Sequence, residues 1–181
     1  MQAISGAGYP GVSSMDIMDN VVPYISGEED KLETEPQKIL GKLNTQPKDD
    51  SLFTFSDFDA CASCNRVPVL DGHTEAVVLK LKKEASVSEL EQVLSNYTCE
   101  AQELKLPSAP ESCILVSRSD DRPQPRLDRM NGNGYSVTVG RIRSSTVMNF
   151  KFTLLSHNTI LGAAGSAILN AELALSKGYI S

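Results

Sequence analysis

Four kinds of side chain in this sequence are able to do chemistry together: an arginine, a histidine, a carboxylate and a lysine. His73 lies in Asp71-Gly72-His73-Thr74-Glu75, seven residues after Arg66 in Cys64-Asn65-Arg66-Val67-Pro68. Glu28 and Lys31 are three apart, so one helical turn puts both on one face. Such a set can hold a carboxylate, hold an amine and move a proton. Each member also has a plainer reading, as a structural histidine or a solvated ion pair. Cys61-Ala62-Ser63-Cys64 has the spacing of a redox or zinc pair. Zinc takes four ligands, however, and Cys99, Cys113, His73 and His157 are not paired at short spacing, so no metal site is expected. On a strand the two thiols would point to opposite faces, and two small buried residues is the favoured reading. Ser5-Gly6-Ala7-Gly8 with Gly11 has the look of a phosphate-binding glycine loop but lacks a preceding strand and a following βαβ unit. It reads as a turn, or as one wall of a cofactor site completed by another part of a protein. Arg122 to Arg129 packs three arginines and two prolines into eight residues, as an anion site or a salt-bridged interface loop.

Periodicity and capping signals give the elements that must position these groups. Residues 4–14 concentrate Gly, Pro and Ser and read as a loop feeding a short helix at 14–22. Ser26-Gly27-Glu28-Glu29 and Thr34-Glu35-Pro36-Gln37 are both capping-box patterns. Proline is tolerated in a first turn but not in a helix interior, which predicts a main helix over 35–44 and a separate lead-in at 28–33. Residues 45–51 read as a polar loop, and Phe53 and Phe55 open a strand running toward Cys64. Val77, Leu79 and Leu81 alternate with Val78, Lys80 and Lys82, the period of a half-buried strand. Ser86-Val87-Ser88-Glu89 caps a helix with Val87, Leu90, Leu94 and Tyr97 on its apolar face. Cys113–Ser117 is a strand, 120–134 a loop, and 135–143 and 150–156 two further strands. The tail at 158–177 is a helix apolar almost all round, ended by Gly178. The order predicts an α+β fold with a mostly antiparallel mixed sheet.

With 181 residues, 17 Lys+Arg and 23 Asp+Glu, the chain has a formal net charge of −6, which argues against a protein that tracks nucleic-acid phosphates. No apolar run reaches the roughly 18–20 residues of a membrane span. The opening MQAISGAGYPG has no basic n-region and no apolar h-region, and the four cysteines form no ordered framework. A cytoplasmic location is therefore expected.

Six separated motifs occur in the order found in aspartate-semialdehyde dehydrogenases: Gln2 to Gly8, Gly27 to Lys31, Cys64 to Pro68, Asp71 to Glu75, Arg122 to Arg129, and Leu155 to Thr159. The chain resembles the archaeal and fungal branch of that family over essentially its whole length. The resemblance implies a glyceraldehyde-3-phosphate-dehydrogenase-like C-terminal domain, with helices packed on one face of the sheet. Residues 1–157 would form a substrate-binding and dimerisation domain, and residues 158–181 a C-terminal helix that packs on a Rossmann domain. It implies NADPH-dependent reductive dephosphorylation of L-aspartyl-4-phosphate to L-aspartate 4-semialdehyde through a cysteine thioester, in lysine, threonine and methionine synthesis, by a homodimer or homotetramer. By the same resemblance Gln2 orients substrate, Glu28 takes the α-amino group, Lys31 goes with phosphate, Arg66 clamps the α-carboxylate and His73 is the general acid/base. Ser5, Gly6 and Asn158 fall where family members touch the nicotinamide cofactor. Pro36 departs from the uninterrupted helix after the acidic stretch. None of Cys61, Cys64, Cys99 and Cys113 matches the family's nucleophile, which lies in the NADP-binding half about two dozen residues ahead of the first motif. The expectation is that this chain alone is inert. A non-catalytic dimerisation module and a related acyl-CoA reductase are the alternative readings.

Overall fold

The structure is a computed structural model that describes residues 1–44 and 52–180; the polar loop expected at 45–51 lies outside the described residues. Its centre is a four-stranded mixed sheet in the order β3-β6-β5-β4: His73–Leu79 (β3), Phe150–Ser156 (β6), Val137–Ser144 (β5) and Ile114–Ser117 (β4). The β3/β6 and β6/β5 pairs are antiparallel and the β5/β4 pair is parallel, as the α+β expectation requires. The inner strands are covered on both faces, with Thr138, Val139, Phe150 and Leu155 almost fully buried, whereas Glu75, Ala76 and Val78 are exposed on the edge strand β3. The register pairs His73 with Ser156, one residue before His157, so the end of β3 lies beside the 157–159 turn.

Helix Val87–Ser95 (α3) packs on β4 and β5, and its capping box forms: Glu89 N–H donates to Ser86 Oγ at 3.2 Å and Ser86 N–H to Glu89 Oε2 at 2.7 Å. Tyr97 falls beyond this helix and is exposed. Between Gly140 and Arg143 the β5/β6 ladder shifts register, and Arg141 takes a left-handed φ of 56° in that bulge. A Cβ on Gly140 would collide with the Arg122 carbonyl, so the 120–134 segment lies hard against β5 there. That segment is more ordered than a loop, with one helical turn at Pro125–Asp128 (α5) and a 3-10 turn at Asn131–Gly134.

The acidic stretch folds differently from the expectation. A short turn Ser14–Ile17 (α1) is followed by one continuous helix, Glu28–Ile39 (α2), with Pro36 inside it, not by a lead-in and a helix over 35–44. The cap is Gly27 in the left-handed region, so the Ser26 box does not form, and the Thr34 hydroxyl donates to the Asp30 carbonyl instead of capping. Tertiary bonds override the proline rule. Glu29 Oε1 accepts from Cys64 N–H and Glu33 Oε1 from Ala62 N–H, both at 2.8 Å, while Gln37 Nε2 donates to Phe58 O at 2.9 Å. Glu28, Glu29 and Asp30 also suit the positive end of the helix. The helix stops before Gly41, where a Cβ would run into the Thr54 carbonyl, and Lys42–Leu43 (β1) turns into a two-residue pairing with Phe53–Thr54 (β2). The strand expected from Phe53 toward Cys64 is thus only two residues long, because the later amides bond to α2 carboxylates and not to a neighbouring strand.

The tail begins with a wide π turn, Ile160–Ala164, and continues as a helix, Gly165–Ser176 (α6). Gly178 ends it at φ 72°: Gly178 N–H reaches Leu175 O and Tyr179 N–H reaches Ala174 O, a Schellman ending. Ile168 and Leu175 are exposed along one side, together with Ala164, Ala167 and Ala171. Among the described residues no helix is long and apolar enough to cross a membrane.

Candidate active site

Residues 1–6 thread between three otherwise distant segments, and the side chains of Glu28, Arg66, His73 and Asn158 all bond to that thread. Gln2 N–H donates to Asn65 O at 2.7 Å and Val67 N–H returns to Gln2 O at 3.0 Å, a parallel bridge that also aligns Arg66. Val22 bonds Arg66 from its other side in an antiparallel bridge. Thr74 N–H donates to Met1 O at 3.0 Å, which brings the start of β3 to the same place.

Ala3, fully buried, is the pivot. Its N–H donates to His73 Nδ1 at 3.1 Å, and its carbonyl accepts from Arg66 Nη1 at 2.7 Å. The backbone of one residue therefore fixes the imidazole through its N–H and the guanidinium through its C=O. A Cβ on Gly6 would come within 3.0 Å of Arg66 Nη1 and 3.3 Å of His73 Nε2, so both groups converge below a position without a side chain. With Nδ1 engaged as an acceptor, the neutral imidazole carries its proton on Nε2, the nitrogen on the Gly6 side.

A second group forms on Gln2. Its Nε2 donates to Glu28 Oε2 at 2.8 Å, and Lys31 Nζ pairs with Glu28 Oε1 at 2.9 Å. The Gln2 hydrogen bond first, and Lys31 second, hold the Glu28 carboxyl below its usual range, and the same pair raises Lys31. The third group joins loop to loop. Asn158 Oδ1 accepts from Gly72 N–H and Asn158 Nδ2 donates to Ser5 Oγ, both at 2.8 Å.

A cavity of about 430 Å³ opens on the Gln2 side, with Gln2, Glu28 and His73 in its wall beside Leu32, Cys61 and Cys64. Arg66, Gly6 and Asn158 do not line it, so the convergence of Arg66 and His73 below Gly6 marks the reactive face better than the cavity does. Cys64 is buried, with Gln2 Nε2 3.9 Å from its sulfur. Burial, then the charges of Glu29 and Glu28, push its thiol pKa up, opposite to what a nucleophilic thiolate needs. Among the described residues no three His, Cys, Asp or Glu side chains converge as metal ligands do.

The arginine cluster works inward. Arg122 Nε donates to Asp128 Oδ2 at 2.7 Å and its Nη2 to Asp128 Oδ1, while Arg129 Nη1 reaches Asp71 O at 3.4 Å, two residues before His73. Sequence reasoning missed Ala3, which contributes only its peptide, and Gly72, whose φ of 101° and amide serve the turn into β3. The glycine directly before His73 was the one visible signal.

Burial is the first cause that holds the His73 pKa below 6.5; the Arg66 guanidinium adds to it and Glu28 opposes it. Burial also lowers His157, with Asp71 opposing. For a histidine whose folded pKa lies below its unfolded value, the unfolded chain takes up the proton first. The stability that neutral His73 and His157 contribute is whole above 6.5 and is lost as pH falls from there toward the folded values. Urea midpoints measured between about pH 7.5 and pH 5 should fall with pH, and His73→Gln and His157→Gln should each flatten that fall. Equal slopes in all three proteins would mean that neither imidazole is held neutral.

Residues 1–161 match the family model of the semialdehyde dehydrogenase dimerisation domain. The chain is 54% identical over 183 residues to the aspartate-semialdehyde dehydrogenase of Schizosaccharomyces pombe, and 52% identical over 180 residues to that of Archaeoglobus fulgidus. Each alignment covers 99% of this chain and 50% of the relative, so the chain spans about half the length of the curated relatives it matches. A crystal structure of the Candida albicans aspartate semialdehyde dehydrogenase with NADP superposes with a TM-score of 0.88 at 50% identity, over 99% of this chain and 50% of that one.

Proposed function

This chain belongs to the semialdehyde dehydrogenase family through its dimerisation domain, and on that premise we propose that it is the substrate-binding, acid/base and dimer-forming half of an NADP-dependent aspartate-semialdehyde dehydrogenase. The observation that carries the reading is the Ala3 backbone, whose N–H and C=O set a carboxylate-binding guanidinium and a proton-moving imidazole next to each other. In this reading Arg66 holds the substrate α-carboxylate, Glu28 its ammonium group, Lys31 the phosphate, and Gln2 orients the acyl end. His73 exchanges a proton through Nε2. The backbone at Gly6, which a Cβ would block against Arg66 and His73, suits the close approach of a flat nicotinamide ring, with Ser5 and Asn158 at its edge. When bound there, NADP supplies the hydride chemistry.

The nucleophilic cysteine is assigned to a nucleotide-binding half, since Cys64 is held as a thiol and Cys61 lies on the exposed surface. The exposed stripe Ala164, Ala167, Ile168, Ala171 and Leu175 supports the assignment of residues 158–181 to that half, and the family match ends at residue 161. The assembly is a cytoplasmic homodimer or homotetramer that acts on L-aspartyl phosphate, aspartate semialdehyde and phosphate.

Complementation tests this reading. The 181-residue chain is assayed alone and with the nucleotide-binding half of a relative, by NADPH formation from aspartate semialdehyde, NADP and phosphate. The chain alone should stay at blank, and the mixture should reduce NADP only when phosphate is present. Association of the halves without turnover would instead favour a non-catalytic assembly module. Turnover that needs coenzyme A in place of phosphate would favour an acyl-CoA reductase.

A further inference from the structure

Cys99 and Cys113 are 14 residues apart in sequence, outside the site around His73, and the fold turns the chain between them back on itself. Cys99 is the cap of the turn Glu100–Glu103 (α4), and Cys113 directly precedes β4. The Cys113 thiol donates to the Tyr97 carbonyl at 3.4 Å, two residues before Cys99, and, after burial, the nearby Cys99 thiol is one of the groups that push the Cys113 pKa up. Gln102 closes the group. Its Oε1 accepts from the Cys99 thiol at 2.9 Å and from the Cys99 amide at 3.0 Å, and its Nε2 donates to Pro110 O at 3.2 Å. Both thiols are free and half-buried.

The segment between them grips the C-terminal helix. Ser108 donates to Glu172 of α6 through its amide at 3.0 Å and its hydroxyl at 2.7 Å, and Lys177 Nζ pairs with Glu100 Oε1 at 2.6 Å. We propose that Cys99 and Cys113 are a reversible disulfide site, which on oxidation closes the 99–113 loop that holds α6. In a reducing compartment such a pair acts as a responder to oxidant and not as a permanent staple.

A small-molecule disulfide is the oxidant. The Cys99 thiolate attacks one of its sulfurs, forms a mixed disulfide and releases one small thiolate. The Cys113 thiolate then attacks the Cys99 sulfur and displaces the second small thiolate. The chain loses two electrons and two protons, and the oxidant becomes two thiols. Burial, and then the neighbouring Cys99, keep Cys113 protonated, so Cys99 is the first attacker and the second step quickens with pH.

The test treats the 181-residue chain with oxidised glutathione at about pH 8, unfolds it in denaturant at acid pH, blocks remaining thiols with an alkylating agent, and maps the peptides by mass. Before alkylation the mass should fall by about 2 Da with no glutathione retained, and only the Cys99 and Cys113 peptides should be linked. Cys61 and Cys64 should be alkylated, and dithiothreitol added before the alkylating agent should restore all four thiols. Cys113→Ser should trap glutathione on Cys99. A bridge between Cys61 and Cys64, a stable adduct on wild-type Cys99, or four alkylated cysteines would each overturn the proposal, and the wild-type map decides it even where the variant fails to fold.

Discussion

His73→Gln in the complemented enzyme is expected to lower kcat by about 10²–10⁴-fold, with KM changed by no more than about threefold. Glutamine offers an oxygen to the Ala3 N–H that now bonds His73 Nδ1 at 3.1 Å, so the thread of residues 1–6 keeps its anchor. What it cannot do is carry a proton to and from the Gly6 side, where Nε2 stands. Because burial and Arg66 lower the His73 pKa, the imidazole is neutral at neutral pH and ready to act as a base. The acid limb of kcat/KM should therefore lie below 6.5 in the parent protein and disappear in the variant. A residual activity within tenfold of the parent, or an acid limb that survives, would assign the proton transfer to another group.

The residue types of this site were legible in the sequence, and their convergence was not. Arg66, His73, Glu28 and Lys31 announce themselves by chemistry, but what joins Arg66 to His73 is the backbone N–H and C=O of an alanine. No side-chain signal marks Ala3, and the bonds that pin it span 63 and 70 residues. The core elements were readable for the opposite reason. Alternation in β3, the Ser86–Glu89 box of α3 and the glycine end of α6 are all settled within a few residues. Around Pro36 the local rule lost, because Glu29 and Glu33 bond amides 35 and 29 residues away and carry the helix through the proline. The same bonds took the amides of the expected 52–64 strand out of any ladder. Cys99 and Cys113 belong to this class too: spacing said nothing of them, since the loop between them closes only in space.

Arg66→Lys in the complemented enzyme is expected to raise KM for aspartate semialdehyde by about 10²-fold, and Arg66→Gln by about 10³-fold or more, with kcat changing less. One arm of the guanidinium is already committed to Ala3 O at 2.7 Å, and the residue is only 7% exposed. The planar fork can keep that bond and still face a carboxylate with other N–H groups. A lysine ammonium has no fork, so it gives up either the Ala3 carbonyl or the geometry toward the ligand. The two variants also separate charge from shape at the neighbouring imidazole. Arg66 is the second cause, after burial, of the lowered His73 pKa. Loss of the positive charge in Arg66→Gln should therefore move the His73 titration up toward 6.5, while Arg66→Lys should leave it low. Imidazole resonances followed by NMR across that pH range give the titration independently of turnover. A KM unchanged in the lysine variant would remove the fork from substrate binding, and equal His73 titrations in both variants would show that burial alone sets the imidazole. The two outcomes together decide whether the Ala3 backbone aligns a working pair or only packs two side chains.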